Sequence, residues 1–233
     1  MIFKVPEDKI IYTKEPKDSI EHTKKLDQGY SKYAKVYDLA IKLFPFWKTW
    51  IKVVIPYIQG PKVLEASFGT GYLLMQYASN YETYGIEFNK NMIETAKRNL
   101  SRKGIKAKLE WANVEKLPYS DNYFDTIVNT MAFSGYPNGK RAMTEFFRVL
   151  KKNGTLLIVD FNYPSNRNRF GYWLTKFMES AGDTIRDISK ILQRFPFEYT
   201  EKEIGGFGSI HFYIAKKTDE HRFVSPLPLP YRM

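Results

Sequence analysis

Segments typical of β-strands alternate with segments typical of α-helices along most of this chain of 233 residues. The first strand is predicted at 62–66, and it runs directly into a glycine-bearing turn and a helix at 72–80. Further strands are predicted at 84–87, 107–111, 125–129 and 154–161, with helices at 91–102 and 140–150 between them. This alternation is typical of a parallel sheet that helices cover on both faces.

The last third of the chain departs from this pattern. Residues 165–192 are a mixed aromatic and basic segment of helical character, and two more strands are predicted at 197–203 and 210–215. The glycine-rich stretch at 205–208 between those strands favours a hairpin. We therefore predict an α/β fold with a doubly wound, mostly parallel, Rossmann-like sheet of seven strands, in which the last strand is antiparallel.

One domain accounts for the chain, because its length leaves little room for two separate cores. Residues 29–217 are predicted to form this domain, with the segment at 165–192 as a helical insertion. A helix is predicted over 31–58, broken at Pro45. Residues 1–28 are polar and charged and are interpreted as an arm or lid, and the proline-rich residues 218–233 as an extended tail.

The amino-acid composition limits the kinds of site and partner that the chain can have. The chain has no cysteine and only three histidines, so neither disulfides nor a bound metal is expected. The amino terminus does not resemble a targeting signal, and lysines and prolines interrupt the apolar stretch at 39–58, so we predict a cytoplasmic protein. The net charge of +11 favours an anionic partner, although a solvated basic surface explains it equally well, because the basic residues are spread along the chain.

The loop after the first strand is the strongest candidate for a binding site, because ligands of open parallel sheets bind at the carboxyl ends of the strands. Gly69 and Gly71 allow a tight turn and a close approach of the backbone to a ligand. Glu87 ends the next strand about 20 residues after Glu65, the separation at which an acid meets ribose hydroxyls. Ser67 stands where a dinucleotide fingerprint needs glycine. The pattern therefore predicts a nucleoside pocket without pyrophosphate recognition.

Four motifs, taken together and in order, resemble those of class I S-adenosylmethionine-dependent methyltransferases. They are Glu65-Ala-Ser-Phe-Gly-Thr-Gly71, Ile86-Glu87, the stretch 113–125 and Arg148-Val-Leu-Lys-Lys-Asn-Gly154. The resemblance spans about 30–217 and is greatest to the small-molecule branch, which includes ubiquinone/menaquinone-biosynthesis and phospholipid N-methyltransferases. The tyrosine-rich segment 30–38 is similar to a helix of that branch. The resemblance implies the methyltransferase variant of the Rossmann-like fold and methyl transfer to a small molecule.

The resemblance also implies S-adenosylmethionine as cofactor, with S-adenosylhomocysteine as product. It places Gly69 and Gly71 at the methionine part, Glu87 at the ribose, and Asn113 with Val114 beside the adenine. Two residues depart from the family, which usually has glycine at Ser67 and aspartate at Asn113. The full predicted cofactor set is Glu65, Ser67, Gly69, Gly71, Glu87, Phe88, Asn113, Val114 and Asn129.

Aromatic residues near the strand ends are the candidates for contact with the acceptor, together with Met131 and Asn162. They suit a flat or cationic molecule, and they are Tyr30, Tyr33, Tyr37, Phe133, Phe161 and Tyr163. No catalytic side chain is identified, because methyl transfer from a sulfonium needs alignment more than a nucleophile. An acceptor that must lose a proton would need a base, for which Tyr163 and His211 are the candidates.

Two alternatives stay open. In the first, the enzyme methylates a phospholipid or quinone at the inner membrane face, because aromatic and basic residues lie together at 44–52 and 167–176. In the second, the chain binds S-adenosylmethionine or nucleic acid without catalysis. Nucleic acid is the less favoured partner, because the sequence contains no recognisable RNA-binding module. The motifs specify neither the acceptor atom nor the oligomeric state.

Overall fold

The computed structural model describes residues 4–16, 21 and 46–219. The strands in this part of the chain are β1 (Lys62–Ala66), β2 (Glu82–Glu87), β3 (Lys108–Trp111), β4 (Phe124–Thr130), β5 (Leu150–Phe161), β6 (Phe197–Gly205) and β7 (Ile210–Lys217). They form one seven-stranded sheet in the order β3-β2-β1-β4-β5-β7-β6. Neighbouring strands from β1 to β5 are parallel, and β7 is antiparallel to both β5 and β6. The predicted fold is confirmed, including the antiparallel last strand.

The helices of the described residues are α1 (Phe46–Lys52), α2 (Leu74–Tyr77), α3 (Lys90–Ser101), α4 (Gly139–Val149), α5 (Arg169–Ser180) and α6 (Ile188–Leu192). The side chain of Asn89 caps α3 by accepting from the Met92 amide, and Asn138 and Asn168 cap α4 and α5 in the same way. Such caps satisfy backbone donors at the start of a helix that would otherwise lack a partner.

Core residues alternate between the two faces of the sheet, as expected for strands buried on both sides. Leu64, Ile127 and Leu156 face a cluster that includes residues of α4 and α6. Their sequence neighbours Val63, Val128 and Leu157 face the opposite cluster, to which α1, α2, α3 and α5 contribute. This arrangement leaves the carboxyl edge of β1 to β5 free for loops.

Several predicted boundaries differ from the observed ones. The helical segment predicted at 165–192 consists of two helices, α5 and α6, because the chain turns at Gly182, which has a φ of 117°. The strand predicted at 154–161 is longer than expected, because β5 already begins at Leu150 and pairs with β4 across a register shift between Phe124 and Thr126. The helix predicted at 72–80 is reduced to α2 and a 3₁₀ turn at Ala78–Asn80.

Residues 4–13 lie against α5 and the end of β5. The Val5 amide donates to the Arg167 carbonyl at 3.0 Å, and the Thr13 amide donates to the Ile185 carbonyl at 2.9 Å. The Tyr172 hydroxyl donates to the Lys9 carbonyl at 3.3 Å. This segment belongs to the predicted arm, and its action as a lid stays a prediction.

Some predictions fall on residues that the structure does not describe. The acceptor candidates Tyr30, Tyr33 and Tyr37 lie outside the described residues, as do positions 31–45 of the predicted helix and the predicted tail from 220 onward. Within the described part, no helix combines the length and the apolar character needed to span a membrane.

Candidate active site

The loop after β1 is built on left-handed backbone. Ser67, Gly69 and Gly71 have φ values of 59°, 54° and 75°. A Cβ atom added at Gly69 would meet nothing within 4 Å, so this backbone faces open space and can approach a ligand. A Cβ atom at Gly71 would lie 3.1 Å from the Ala96 Cβ, so this glycine lets the loop pack against α3. Of these two glycines, Gly69 is therefore the one that faces space that a ligand can occupy.

The carboxylate of Glu87 is held beside this loop at the end of β2. One of its oxygens, Oε2, accepts from the Gly69 amide at 3.0 Å, and Oε1 accepts from the amides of Phe88 and Asn89 at 2.8 and 3.0 Å. Hydrogen bonds from backbone amides to an ionised carboxylate are strong and directional. Glu87 is therefore oriented next to the Gly69 backbone, as its predicted contact with ribose hydroxyls requires.

Two exposed aromatic rings stand at the ends of β2 and β3. Phe88 and Trp111 stack with their ring centroids 5.6 Å apart, and the Trp111 indole donates to the Phe88 carbonyl at 2.6 Å. Trp111 was not in the predicted set, although a large aromatic at the carboxyl end of a strand is a signal that could have identified it. Together the rings offer a flat surface on which an adenine can stack.

Asn113 and Val114 follow β3 and differ in burial. Asn113 is exposed, and its Oδ1 accepts from the Glu115 amide at 2.9 Å, which fixes the side chain in a turn. Val114 is buried in the core next to β4. The predicted contact of both residues with adenine stays a prediction.

Beneath the loop, a set of polar groups, of which Asn129 and Tyr136 are buried and Ser67 is half-buried, joins the ends of β1 and β4. The Ser67 and Tyr136 hydroxyls lie 2.8 Å apart, and the Asn129 amide nitrogen lies 2.7 Å from the same Tyr136 hydroxyl. Burial raises the pKa of Tyr136 above its ordinary value, so the phenol stays protonated. Sequence reasoning missed Tyr136, because only the folded chain brings position 136 next to position 67.

Glu65 points away from the loop. Its side chain is buried and accepts from the Tyr77 hydroxyl at 2.8 Å, between β1 and α2. Burial raises the pKa of this carboxyl from 4.5 to about 8. Glu65 is therefore a largely protonated acid beneath the site at neutral pH, and its predicted contact with the cofactor stays a prediction.

The loop at 131–138, after β4, is braced from two sides. The amide and hydroxyl of Ser134 each donate to the buried Asp160 carboxylate at 2.8 Å. The buried Arg186 donates to several backbone carbonyls, among them those of Phe133 and Pro137. These contacts fix the loop that carries Tyr136.

A cavity of about 460 Å³ lies beyond the end of β5, under residues 7–12. Tyr12 and Tyr163 both line it, and their rings meet edge to face with centroids 5.6 Å apart. Asn162, Asp187 and Glu201 supply polar lining. Of the predicted acceptor residues that the structure describes, Asn162 and Tyr163 line this cavity, although both are largely buried. Phe133 and Phe161 are buried in the core, and Met131 packs partly buried against it.

His211 is fully engaged inside the sheet. The side chain is buried, with Nδ1 2.7 Å from a Glu201 oxygen and Nε2 2.9 Å from the Gly208 carbonyl oxygen. Burial alone would raise the pKa of Glu201, but hydrogen bonds from His211 and two hydroxyls keep that pKa below its ordinary value. Glu201 lines the cavity in place of His211, which leaves Tyr163 as the predicted base that faces it.

Comparison with known proteins gives a consistent result. A family described as "Methyltransferase domain" matches residues 59–202, which is more than half of the chain. The chain is similar to the ubiquinone/menaquinone biosynthesis C-methyltransferase UbiE of Francisella philomiragia, with 26% identity over 82% of this chain and 86% of that protein. It is also similar to the 2-phytyl-1,4-naphtoquinone methyltransferase of Trichormus variabilis, with 29% identity over 80% of this chain and 92% of that protein.

Solved structures share the fold. A SAM-dependent methyltransferase of Thermotoga maritima, described as a possible histamine N-methyltransferase, superposes with a TM-score of 0.68. The match covers 83% of this chain and all of that one, at 18% sequence identity. At this identity the likeness concerns the fold alone.

Proposed function

Because the chain belongs to the class I S-adenosylmethionine-dependent methyltransferases and its acceptor is a small molecule, we propose that this acceptor is a quinone-like ring that is methylated in its reduced form. The observation that carries the proposal is the cavity at the end of β5, with the rings of Tyr12 and Tyr163 in its wall. Flat rings of an acceptor pack well against such phenol rings. The quinone methyltransferases among the relatives support the same class of acceptor.

In this proposal the chain contributes binding and alignment. The bound cofactor supplies an activated methyl group on its sulfonium. Tyr12 and Tyr163 orient the acceptor ring, and the carboxylates of Asp187 and Glu201 accept hydrogen bonds from its hydroxyls. Holding the two reactants in one geometry provides most of the rate enhancement that such a reaction needs.

A matched pair of variants tests the acceptor site. Tyr12 and Tyr57 are both 37% exposed, but only Tyr12 lines the cavity, so alanine at either position should leave the fold intact. Transfer of labelled methyl from S-adenosylmethionine to a demethylated naphthoquinol is the assay. We expect Tyr12→Ala to lower kcat/KM by up to about tenfold through lost ring contact, and Tyr57→Ala to change it little. Failure of the wild type to methylate any quinol would refute the proposal.

A second candidate places the enzyme at a membrane surface, where lipid-soluble acceptors reside. On α5, Phe170, Trp173 and Phe177 follow helical spacing and are between 60% and 72% exposed. Phe207 extends this aromatic face, with its ring centroid 5.6 Å from that of Phe170. An exposed apolar patch of this kind favours an interaction site.

Basic residues border the aromatic face. Lys4 forms an isolated antiparallel β-bridge with Asn168, just before α5. Arg167 and Arg169 are the neighbours of Asn168 in the sequence. Arg167 also forms an ion pair with Glu7 at 3.5 Å, so part of this charge is compensated. Aromatic side chains fringed by cations suit the interface of an anionic bilayer. The cavity-lining residues Pro164 and Ser165 connect this face with the acceptor site.

Co-sedimentation with vesicles of anionic and of zwitterionic lipid tests the membrane candidate. The triple variant Phe170→Ser/Trp173→Ser/Phe177→Ser should lose binding to anionic vesicles, whereas Tyr57→Ser, at an exposed aromatic residue outside both predicted membrane segments, should keep it. Equal binding by both variants, or no binding by the wild type at low salt, would remove this candidate. A cytoplasmic location, with or without contact at the inner membrane face, stays our prediction.

The non-catalytic alternative has less support than either enzyme candidate. The relatives described above are named as methyltransferases, which favours catalysis. Binding of nucleic acid would rest on the net charge of +11 alone. A steep loss of RNA affinity with rising salt would be the result that supports binding of nucleic acid.

A further inference from the structure

The strand β3 forms one edge of the sheet, and one side of its backbone has no partner strand. In the described part of the chain β3 pairs only with β2. The Ala112 amide donates to the Glu87 carbonyl at 3.2 Å, so this position and alternate residues before it point their backbone groups toward β2. The backbone groups of Leu109 and Trp111 point away from β2, and no described residue forms a hydrogen bond with them. Such an edge can pair with a further strand.

A groove of about 370 Å³ lies beside this edge, between the carboxyl end of α3 and β3. We call it the β3 groove. Four aliphatic side chains and two exposed lysines line it, and they are Leu100, Ile105, Ala107, Leu109, Lys97 and Lys106. Leu109 thus contributes its side chain to the groove and its unpaired backbone groups to the edge. A strand that pairs with β3 could place alternate side chains over an apolar floor.

The surface around the β3 groove is strongly basic, although basic residues occur along the whole chain. Residues 97–108 include no acid and six basic residues, which are Lys97, Arg98, Arg102, Lys103, Lys106 and Lys108. Two of these six are compensated, Lys97 by Glu94 at 3.0 Å and Lys108 by Glu82 at 2.8 Å. The other four are exposed and form no ion pair with a described residue. This local excess of positive charge attracts an anionic partner.

The charge also indicates which kind of strand can occupy the edge. A second copy of the chain would bring the same basic residues against this set, and like charges on neighbouring strands oppose pairing. The one acid of β3, Glu110, does not change this balance at the groove, because its side chain and that of Leu109 point to opposite faces of the sheet. A strand with acidic side chains would instead meet free cations.

We propose that the β3 groove docks an extended, acidic segment of a partner protein, which adds to β3 as a further strand. The backbone of this segment pairs with the outward groups of Leu109 and Trp111. Its apolar side chains pack on the aliphatic floor, and its carboxylates pair with the free cations. The acceptor cavity borders β6, at the opposite edge of the sheet, so docking leaves that cavity accessible. The inference does not depend on the identity of the acceptor.

Fluorescence anisotropy with a labelled synthetic peptide tests the proposal on the full chain. The probe is a peptide of about ten residues in which glutamate alternates with valine, a length that spans the edge strand. Its counterpart has lysine in place of each glutamate. We expect the acidic peptide to bind with a Kd of about 10–100 µM at low salt, and the lysine peptide to bind at least about tenfold more weakly.

Two methylated isomers of the acidic peptide distinguish strand addition from charge attraction. One isomer carries methyl groups on the backbone nitrogens of its valines, and the other on those of its glutamates, so both keep the charge of the parent peptide. An added strand uses the amides of one of its edges only. One isomer should therefore bind at least about tenfold more weakly than the parent peptide, whereas the other should stay within about threefold of it.

A matched pair of double variants tests where the peptide binds. Lys103→Glu/Lys106→Glu reverses two exposed, unpaired cations next to the groove and should weaken binding of the acidic peptide at least about tenfold. Lys140→Glu/Arg141→Glu changes the net charge by the same amount at exposed positions in the first turn of α4, where acidic residues are compatible with a helix. This control should bind the peptide within about threefold of the wild type.

Several outcomes would refute the proposal. Equal binding of the parent peptide and both methylated isomers would show that charge alone attracts the peptide. Equal weakening by the two double variants, or no binding of the acidic peptide by the wild type at low salt, would also overturn it. If Lys103→Glu/Lys106→Glu loses binding to an RNA oligonucleotide or to anionic vesicles but binds the acidic peptide like the wild type, the surface binds polyanions instead and the proposal is wrong.

Discussion

Glu65 should make the stability of this protein depend on pH in the range where most carboxyls no longer titrate. The side chain is 2% exposed, and its carboxyl accepts a hydrogen bond from the Tyr77 hydroxyl. Burial raises the pKa of Glu65 from 4.5 to about 8 in the folded state. Between those two values the folded chain holds a proton that the unfolded chain has released. The contribution of this group is therefore fully present below the unfolded pKa and is lost as the pH rises through the folded pKa.

The size of the effect follows from the shift. At about 1.4 kcal/mol per pH unit, raising the pH from about 5.5 to about 8 should cost the wild type about 3 kcal/mol through Glu65. A glutamine side chain at this position has nearly the same shape and can still accept from Tyr77, but it cannot ionise. The free energy of unfolding of Glu65→Gln should not change through this group. Relative to the wild type, the variant should therefore gain about 3 kcal/mol of stability between the lower and the upper end of this range.

Urea unfolding at several pH values measures this difference. Glu82→Gln is a matched control on the neighbouring strand, because hydrogen bonds from Lys108 and Tyr84 lower the pKa of Glu82. Its contribution is present above the unfolded pKa and is lost only as the pH falls below that value, outside the range tested. The reasoning would be refuted if the free energies of unfolding of Glu65→Gln and the wild type changed over this pH range by amounts that agree within about 0.5 kcal/mol.

Three further predictions concern single side chains. Gly85→Ala should destabilise the fold by about 1–3 kcal/mol in urea unfolding, because the added Cβ would lie 2.6 Å from a Phe68 ring carbon; a loss below about 0.5 kcal/mol would contradict the packing. Arg186→Met should cost about 3 kcal/mol, because buried carbonyls of the loop at 131–138 lose their donors; unchanged thermal unfolding would contradict that bracing role. Trp111→Ala should weaken binding of S-adenosylhomocysteine by up to about tenfold through lost stacking, and equal affinity would exclude Trp111 from the adenine site.

The strands were predictable from sequence because their signal is local. Short, largely buried runs with apolar residues, such as Lys62–Ala66 and Ile210–Lys217, can be identified from their composition and residue alternation. The division of 165–192 into two helices depends on the backbone at Gly182 and on the helix cap at Asp187. Periodicity judged over the whole segment does not show such a local break.

The site was predictable only where its residues lie in recognisable motifs. Gly69 and Glu87 were identified because the loop and the next strand end are close in sequence, and the structure joins them by a hydrogen bond. Tyr136 was missed because its contact is with Ser67, far away in sequence, and Glu201 because its cavity is formed together with residues 7–12. Conversely, Phe133 and His211 were proposed from position alone, and the fold buries both.

The central claim is that this chain binds S-adenosylmethionine through the loop after β1 and Glu87. Calorimetric titration of S-adenosylmethionine into the wild type and Glu87→Ala tests it most directly, with Glu94→Ala, an exposed acid on α3, as the control. We predict micromolar binding that weakens about a hundredfold in Glu87→Ala through the loss of its ribose contacts and is unchanged in Glu94→Ala. Binding that Glu87→Ala leaves intact, or no binding by the wild type, would contradict the account.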